Sequence, residues 1–328
     1  MQFGTIPGVP VPVSRLVMGT AAMSIDARKD AFALLDEYVR LEGNTLDTAA
    51  IYGIDRSCER VVGEWITRSG IRDRLSIIAK GACSTSADPE LVTSDLVRSL
   101  EELRIETADV YMMHRDNPSI PAGEFVEVMN EHVAAGRIRA IGGSNWLPHR
   151  IEEANAYAAE HGLVGFTVSS PNFSLALWNE ATWTDCYSAS DLPTRRWYEE
   201  RDLSLFAWSS QASGFFTGRF DRADAVNPAL ADVVRVWFND ENFARRERAE
   251  ETAAQRGVSA TEIALAFVLS QRFSAFALIG PQTIDELRSS MAAADLVLTP
   301  EECAYVNLES DRCSTGWDST AEFSGQRS

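Results

Sequence analysis

Four side chains with acid–base chemistry stand at or just beyond the ends of three consecutive apolar runs. Asp47 closes Asn44-Thr45-Leu46-Asp47, and Tyr52 follows five residues later. Lys80 closes the run from Leu75, and His114 closes the run from Asp109. A carboxylate, a phenol, an ammonium and an imidazole are groups that hold and move protons. Taken singly, each is more often a helix cap or a satisfied structural residue than a catalyst. Taken together they are far more specific. A lysine at the end of the buried run Leu75-Ser76-Ile77-Ile78-Ala79 is costly unless paired, and Asp47, one strand away, is the natural partner. Ser144-Asn145 and Ser170 end the next two runs and add polar groups to the same rim.

These residues need elements to bring them together. The apolar runs predict eight strands: Arg15 to Gly19, Asn44 to Asp47, Leu75 to Lys80, Asp109 to His114, Ile138 to Gly143, Gly165 to Ser170, Leu203 to Ser209 and Phe276 to Gly280. Each is followed by an amphipathic stretch: Asp30 to Leu41, Glu59 to Arg68, Pro89 to Leu103, Gly123 to Ala135, Pro148 to His161, Leu192 to Arg201, the pair Glu241 to Gln255 and Thr261 to Gln271, and Asp285 to Ala294. Short apolar strands without clean alternation suit a parallel sheet buried on both faces. Eight β–α units fit a closed (β/α)8 TIM barrel, and there is no GxGxxG or GxxxxGK[ST] turn to favour an open doubly wound sheet. The barrel is expected to occupy residues 1–315 as one domain, with 316–328 a frayed tail. Pro7-Gly8 suggests an N-terminal hairpin capping the barrel bottom. Pro171 to Asp191 and Ser210 to Asp240 are long connections on the C-terminal face, where barrel chemistry is sited.

Composition narrows the class. The 328 residues carry 48 acidic and 30 basic side chains, a net charge of −18, spread along the chain. Such a chain repels nucleic acid and anionic membrane. No apolar run approaches a membrane helix, and Met1 to Pro12 has no signal-peptide pattern. Five separated cysteines (Cys58, Cys83, Cys186, Cys303, Cys313), with no CxxC, read as free thiols in a reducing compartment, so the expectation is a soluble cytoplasmic protein. His132, His149 and His161 are expected on helix surfaces or ends, and their spacing gives no metal site.

At this level the chain resembles the aldo-keto reductases. Leu46-Asp47-Thr48-Ala49-Ala50-Ile51-Tyr52-Gly53, followed by Glu59-Arg60-Val61-Val62-Gly63, is similar to the family's DTAxxYG signature and ExxxG. Lys80 and His114 match its lysine and histidine; Gly142-Gly143-Ser144-Asn145 resembles its GxSN. Ala207-Trp208-Ser209-Ser210 resembles its AYSPL segment, and Ile279-Gly280-Pro281 its last cofactor loop. The likeness runs in order from about Arg15 to Ser310. It implies carbonyl reduction with a nicotinamide cofactor, which supplies the hydride that no side chain can. It also implies Tyr52 as proton donor, Lys80 lowering the phenol pKa, Asp47 holding Lys80, and His114 polarising the carbonyl.

The same resemblance places the cofactor on Ser144, Asn145, Ser170, Trp208, Ser209, Gln211, Gly214, Gly280, Gln282, Glu286 and Ser290. Ser170 stands where the family usually has Gln, and Trp208 where it usually has a stacking Tyr, a role Trp can fill. Gln282 stands where the family often has Arg for a 2′-phosphate. Glu286 could accept from a ribose diol, and Arg288 could reach a phosphate. NADP is therefore expected, with NAD open. For the substrate, Trp178, Trp183, Tyr187 and Trp197 in or near the sixth connection suggest an aromatic wall, with Met23, Arg115, Asp116 and Asn117 adding contacts. The expected substrate is a small carbonyl compound of sugar or polyol type, within carbohydrate metabolism; the sequence leaves oligomeric state open. The alternatives are a cofactor-binding regulatory subunit, as in potassium-channel β subunits, which the intact tetrad argues against, and a barrel glycosidase. For the latter, Asp47 and Asp109 lie too near opposite strand ends to act as a pair.

Overall fold

The computed structural model describes residues 1–23 and 25–311. Two short strands, β1 (Phe3–Gly4) and β2 (Val13–Ser14), pair antiparallel as the expected hairpin. Eight more follow: β3 (Leu16–Gly19), β4 (Thr45–Asp47), β5 (Ser76–Gly81), β6 (Ala108–Met113), β7 (Ile138–Ser144), β8 (Val168–Ser170), β9 (Ser204–Ala207) and β10 (Ala275–Ile279). They are all parallel and close on themselves in the order β10-β3-β4-β5-β6-β7-β8-β9. This is the (β/α)8 barrel the alternating pattern predicts.

The helices are α1 (Arg28–Arg40), α2 (Ser57–Ser69), α3 (Pro89–Leu103), α4 (Ala122–Ala134), α5 (Pro148–His161), α6 (Leu192–Glu199), α7 (Ala231–Trp237), α8 (Asp240–Arg256), α9 (Ala260–Leu269), α10 (Ile284–Ala292) and α11 (Pro300–Val306). Local chemistry sets their ends. Asp88 caps α3 by accepting from the Leu91 N–H at 2.8 Å, and Pro89 occupies the first turn, where its missing N–H costs nothing. Gly70 and Gly162 end α2 and α5 in the left-handed region, at φ of 65° and 66°.

Two elements were not expected. The connection Ser210 to Asp240 holds α7 and several short 3-10 turns rather than open loop. Helix α11 was also missed, although Thr299 and Glu302 form a reciprocal capping box that marks its start. The anticipated tail and Cys313 lie outside the described residues.

Strand residues alternate between two cores. Leu16, Met18, Leu46, Ile77, Ala79, Tyr111 and Met113 pack outward into the layer shared with the helices. Val17, Ile78, Val110, Met112, Ala140, Val168, Phe206, Phe276 and Leu278 fill the barrel interior. Ile6 and Val13, from the hairpin segment, join that inner cluster and close it from below. The lower barrel is thus packed apolar matter, and polar chemistry is confined to its upper end.

Candidate active site

Strand periodicity selects the site residues. Because side chains alternate, the residue two positions above an inward apolar one also faces inward. Above Val17 stands Gly19; above Thr45, Asp47; above Ile78, Lys80; above Met112, His114. Above Gly142 stands Ser144; above Val168, Ser170; above Phe206, Trp208; above Leu278, Gly280. All eight line one cavity of about 1030 Å³. Every barrel strand therefore contributes one residue to its rim.

Asp47 and Lys80 are each 2% exposed and form an ion pair across adjacent strands β4 and β5. The Lys80 Nζ lies 5.4 Å from the Tyr52 ring centroid. Tyr52 meets His114 edge to face, with ring centroids 5.9 Å apart. The loop carrying Tyr52 is anchored by a network that sequence reasoning missed. Buried Arg56 donates to Glu59 at 3.0 Å and to Ser99 at 2.8 Å, and pairs with Asp95. Asp95 in turn accepts from the Ala82 N–H at 2.8 Å, tying the Tyr52 loop to the segment after Lys80.

Burial works against the Lys80 charge, but Asp47 and Tyr52 outweigh it and hold the ammonium above its ordinary value. Burial pushes the Tyr52 phenol up, and the Lys80 charge pulls it down by less. The direction differs from the net lowering expected from residue types: the Tyr52 phenol stands above its ordinary value. Burial, then the charges of Lys80 and Arg115, push His114 well below the usual imidazole range, so it is neutral. Its Nδ1 lies 3.4 Å from the Cys83 Sγ, another contact not anticipated. Burial, reinforced by Asp95, pushes the Cys83 thiol up to about 11.

A second group of residues continues the cavity away from this cluster. Ser144 Oγ donates to the Ser170 carbonyl at 2.9 Å, and the Trp208 indole N–H donates to Asn145 Oδ1 at 3.2 Å. The Ser170 hydroxyl donates to the Phe206 carbonyl at 2.9 Å. After β9, Ser209, Ala212, Ser213 and Gly214 adopt left-handed φ values of 50°, 48°, 53° and 80°. Strain of this kind, about 1 kcal/mol or more per non-glycine residue, collects at functional sites. Gln211 donates to Ser290 at 3.2 Å, linking this loop to α10.

A sequence profile of the Aldo/keto reductase family matches residues 15–308. The chain belongs to that family. It is thereby a nicotinamide-dependent reductase by class. An uncharacterized oxidoreductase of Bacillus subtilis, YrpG, is 25% identical over 94% of this chain and 95% of its own length. Norsolorinic acid reductase stcV of Emericella nidulans is 26% identical over 90% of this chain and 78% of its own. Among solved structures, a Klebsiella pneumoniae aldo/keto reductase in complex with NADP and acetate has a TM-score of 0.68 at 24% identity, covering 92% and 93% of the two chains. A thermostable aldo-keto reductase with the inhibitor epalrestat has a TM-score of 0.75 at 20% identity, covering 94% and 99%.

In this reductase the anticipated cofactor set, Ser144, Asn145, Ser170, Trp208, Ser209, Gln211, Gly214, Gly280, Gln282, Glu286 and Ser290, lies entirely on the cavity wall. Thr217, Arg219, Asp285 and Ser289 line it too; Arg219 was not singled out from sequence. Arg288 does not line it, because its guanidinium is held by Glu37 at 2.7 Å. Glu286 already accepts from the Gln282 N–H at 2.7 Å.

The anticipated substrate residues divide. Arg115 and Trp183 line the cavity. Met23 does not: it is 3% exposed and packs in the outer core. Trp178 does not either; it sits behind Trp208 at 5.6 Å and against Trp237 at 6.3 Å, backing the wall. Tyr187 bonds Tyr198, Trp197 bonds Glu152, Asp116 pairs with Arg150 and Asn117 bonds Ala87, all away from the cavity. His132 lies in the last turn of α4, at a helix end as expected, but it is buried rather than on the surface, between Thr93 and Arg137.

Proposed function

We propose that this reductase converts an aldehyde or ketone to the alcohol, with Tyr52 as the proton donor. The observation carrying this reading is the convergence of Tyr52, His114 and the Asp47–Lys80 pair in one cavity. The wall beside them fits a nicotinamide dinucleotide in its donor set. Trp208 offers an aromatic face, Ser144 and Asn145 offer amide-matching polar groups, and Gly280 leaves open space where a Cβ would stand. The family and the NADP held by the Klebsiella neighbour support NADP(H), with NAD(H) as the alternative. When bound, the cofactor supplies hydride to the carbonyl carbon.

The chain's own groups supply the rest. Tyr52 holds its proton until negative charge develops on the substrate oxygen, then donates it. Lys80 stabilises the phenolate that results, and Asp47 keeps Lys80 charged and in line. In this reading the Cys83 thiol, protonated at neutral pH, is the donor in its 3.4 Å contact with His114 Nδ1. That leaves the imidazole proton on Nε2, free to donate to the carbonyl oxygen. Arg115 and Trp183 support a sugar- or polyol-type substrate, as polar and stacking contacts to a hydroxylated carbon chain. The free cysteines Cys58, Cys83, Cys186 and Cys303 support a reducing, cytoplasmic setting.

Tyr52→Phe tests the reading. NADPH or NADH oxidation with a panel of aldehydes, aldoses and ketoses should fall by about 10²–10⁴ in the variant while cofactor binding persists. Turnover at the wild-type rate in Tyr52→Phe would overturn the assignment. Tight cofactor binding without oxidation of any panel member would favour the regulatory alternative.

A further inference from the structure

We propose that the substrate carries a carboxylate, and that Arg115 receives it; this rests on the reductase reading above. Three cationic side chains line the cavity among the described residues: Lys80, Arg115 and Arg219. Lys80 is committed to Asp47. Arg219 belongs to the strained loop after β9, where it donates to the Ser213 carbonyl and stacks 4.7 Å from Phe220. That loop joins α10 through Gln211 and Ser290, so Arg219 serves the far arm of the cavity. Arg115 follows His114 directly and stands at the reacting end.

Its guanidinium has one hydrogen bond, to the His114 carbonyl at 2.8 Å, and no carboxylate within 4.0 Å among the described residues. Two of the nearby acids are paired elsewhere, and Asp185, exposed beside Cys186, makes no ion pair with Arg115 within 4.0 Å. Asp116 is held by Arg150 at 2.8 Å and 3.0 Å, and Asp47 by Lys80. In a chain with 48 acidic and 30 basic residues, a half-buried arginine left without an acid is a vacancy for an anion. Its planar fork suits a carboxylate in two-point contact, and one hydrogen bond leaves that fork open. Arg115 lines the cavity together with Cys186 and Trp183; burial raises the Cys186 thiol, the Arg115 charge opposes it and Asp185 adds to the rise. Trp183 and Ile51 are 58% and 60% exposed and offer apolar cover for the carbon chain between carbonyl and carboxylate. With a net charge of −18 the protein as a whole repels anions, so a carboxylate must be gathered by a local cation. The carboxylate is a spectator: it orients the carbonyl toward Tyr52 and His114 and takes no part in bond changes.

The test compares matched substrates: butanal with 4-oxobutanoate, and D-glucose with D-glucuronate. Wild-type kcat/KM should favour the carboxylated member by tenfold or more. Arg115→Gln should lose about 30–100-fold on that member, mainly through KM, at least ten times more than it loses on butanal. Arg115→Lys should recover part of the loss. Succinate titrated against intrinsic tryptophan fluorescence, with and without NADP⁺, should bind wild type and not Arg115→Gln. A wild-type preference for butanal, equal losses on both members, or equal succinate binding would overturn the proposal. If nothing is turned over by wild type, the reductase reading fails, and the succinate titration still decides the role of Arg115.

Discussion

Removing either member of the Asp47–Lys80 pair should damage stability and activity together, while removing both should damage activity as much but stability far less. Each side chain is 2% exposed and each is the other's ion-pair partner. Asp47→Asn leaves an ammonium buried without its counter-charge, and Lys80→Met does the same to a carboxylate. Breaking a buried pair in this way costs about 3–5 kcal/mol. With a urea m-value of about 3 kcal/mol/M, the unfolding midpoint should fall by about 1–1.7 M for either single variant. Asp47→Asn/Lys80→Met buries no unpaired charge and should return to within about 1–2 kcal/mol of wild type. All three should lose about 10²–10⁴ in turnover, since the phenolate of Tyr52 is then unsupported. The assay is urea unfolding followed by circular dichroism, beside NADPH oxidation. The sign of the pH dependence follows from Lys80. Its folded value lies above its ordinary 10.5, so its contribution is complete below that value and is lost as pH rises through the folded one. Stability losses that add in the double variant to within about 0.5 kcal/mol would refute the coupling.

The pH profile of reduction should be flat between about pH 6 and 9, because Tyr52 lies above and His114 below that window. A step near pH 7 in kcat/KM would contradict a neutral His114. Arg56→Ala should cost about 3–5 kcal/mol, since Glu59 is left fully buried beside a lost partner, and chemical denaturation reads it directly. Glu286→Gln should shift cofactor choice toward NADPH by about 3–10-fold in the ratio of dissociation constants, by removing a negative charge from the cavity wall. An unchanged ratio would place the 2′ position of the bound ribose away from Glu286.

The barrel and the convergence of its polar rim were legible because parallel strands leave so few choices. A strand buried on both faces can end in a charge only where that charge has a partner, so residue types alone point Lys80 to Asp47. The irregular connections carry no such constraint. Trp178 and Trp183 are five residues apart in a segment without helix or strand period, and nothing local says that one backs Trp208 while the other faces the cavity. Met23 sat in a similar stretch. Arg288 is different, since its outcome was available from helical spacing. In α10, Glu286, Ser289 and Ser290 stand at i, i+3 and i+4 on one face, and a residue two positions after Glu286 is turned about 200° away. It meets α1 at Glu37 instead. The sign of the Tyr52 shift could not have been read the same way. Lysine's pull on a phenol is visible from residue types, but the opposing cost depends on how much water the folded site removes. That depends on the loop from Ile51 to Gly53 that carries Tyr52, whose path no periodicity encodes. In the proposed reaction, a donor that keeps its proton until charge develops needs such a dry setting, so removal of water from Tyr52 belongs to that proposal as much as the Lys80 charge does.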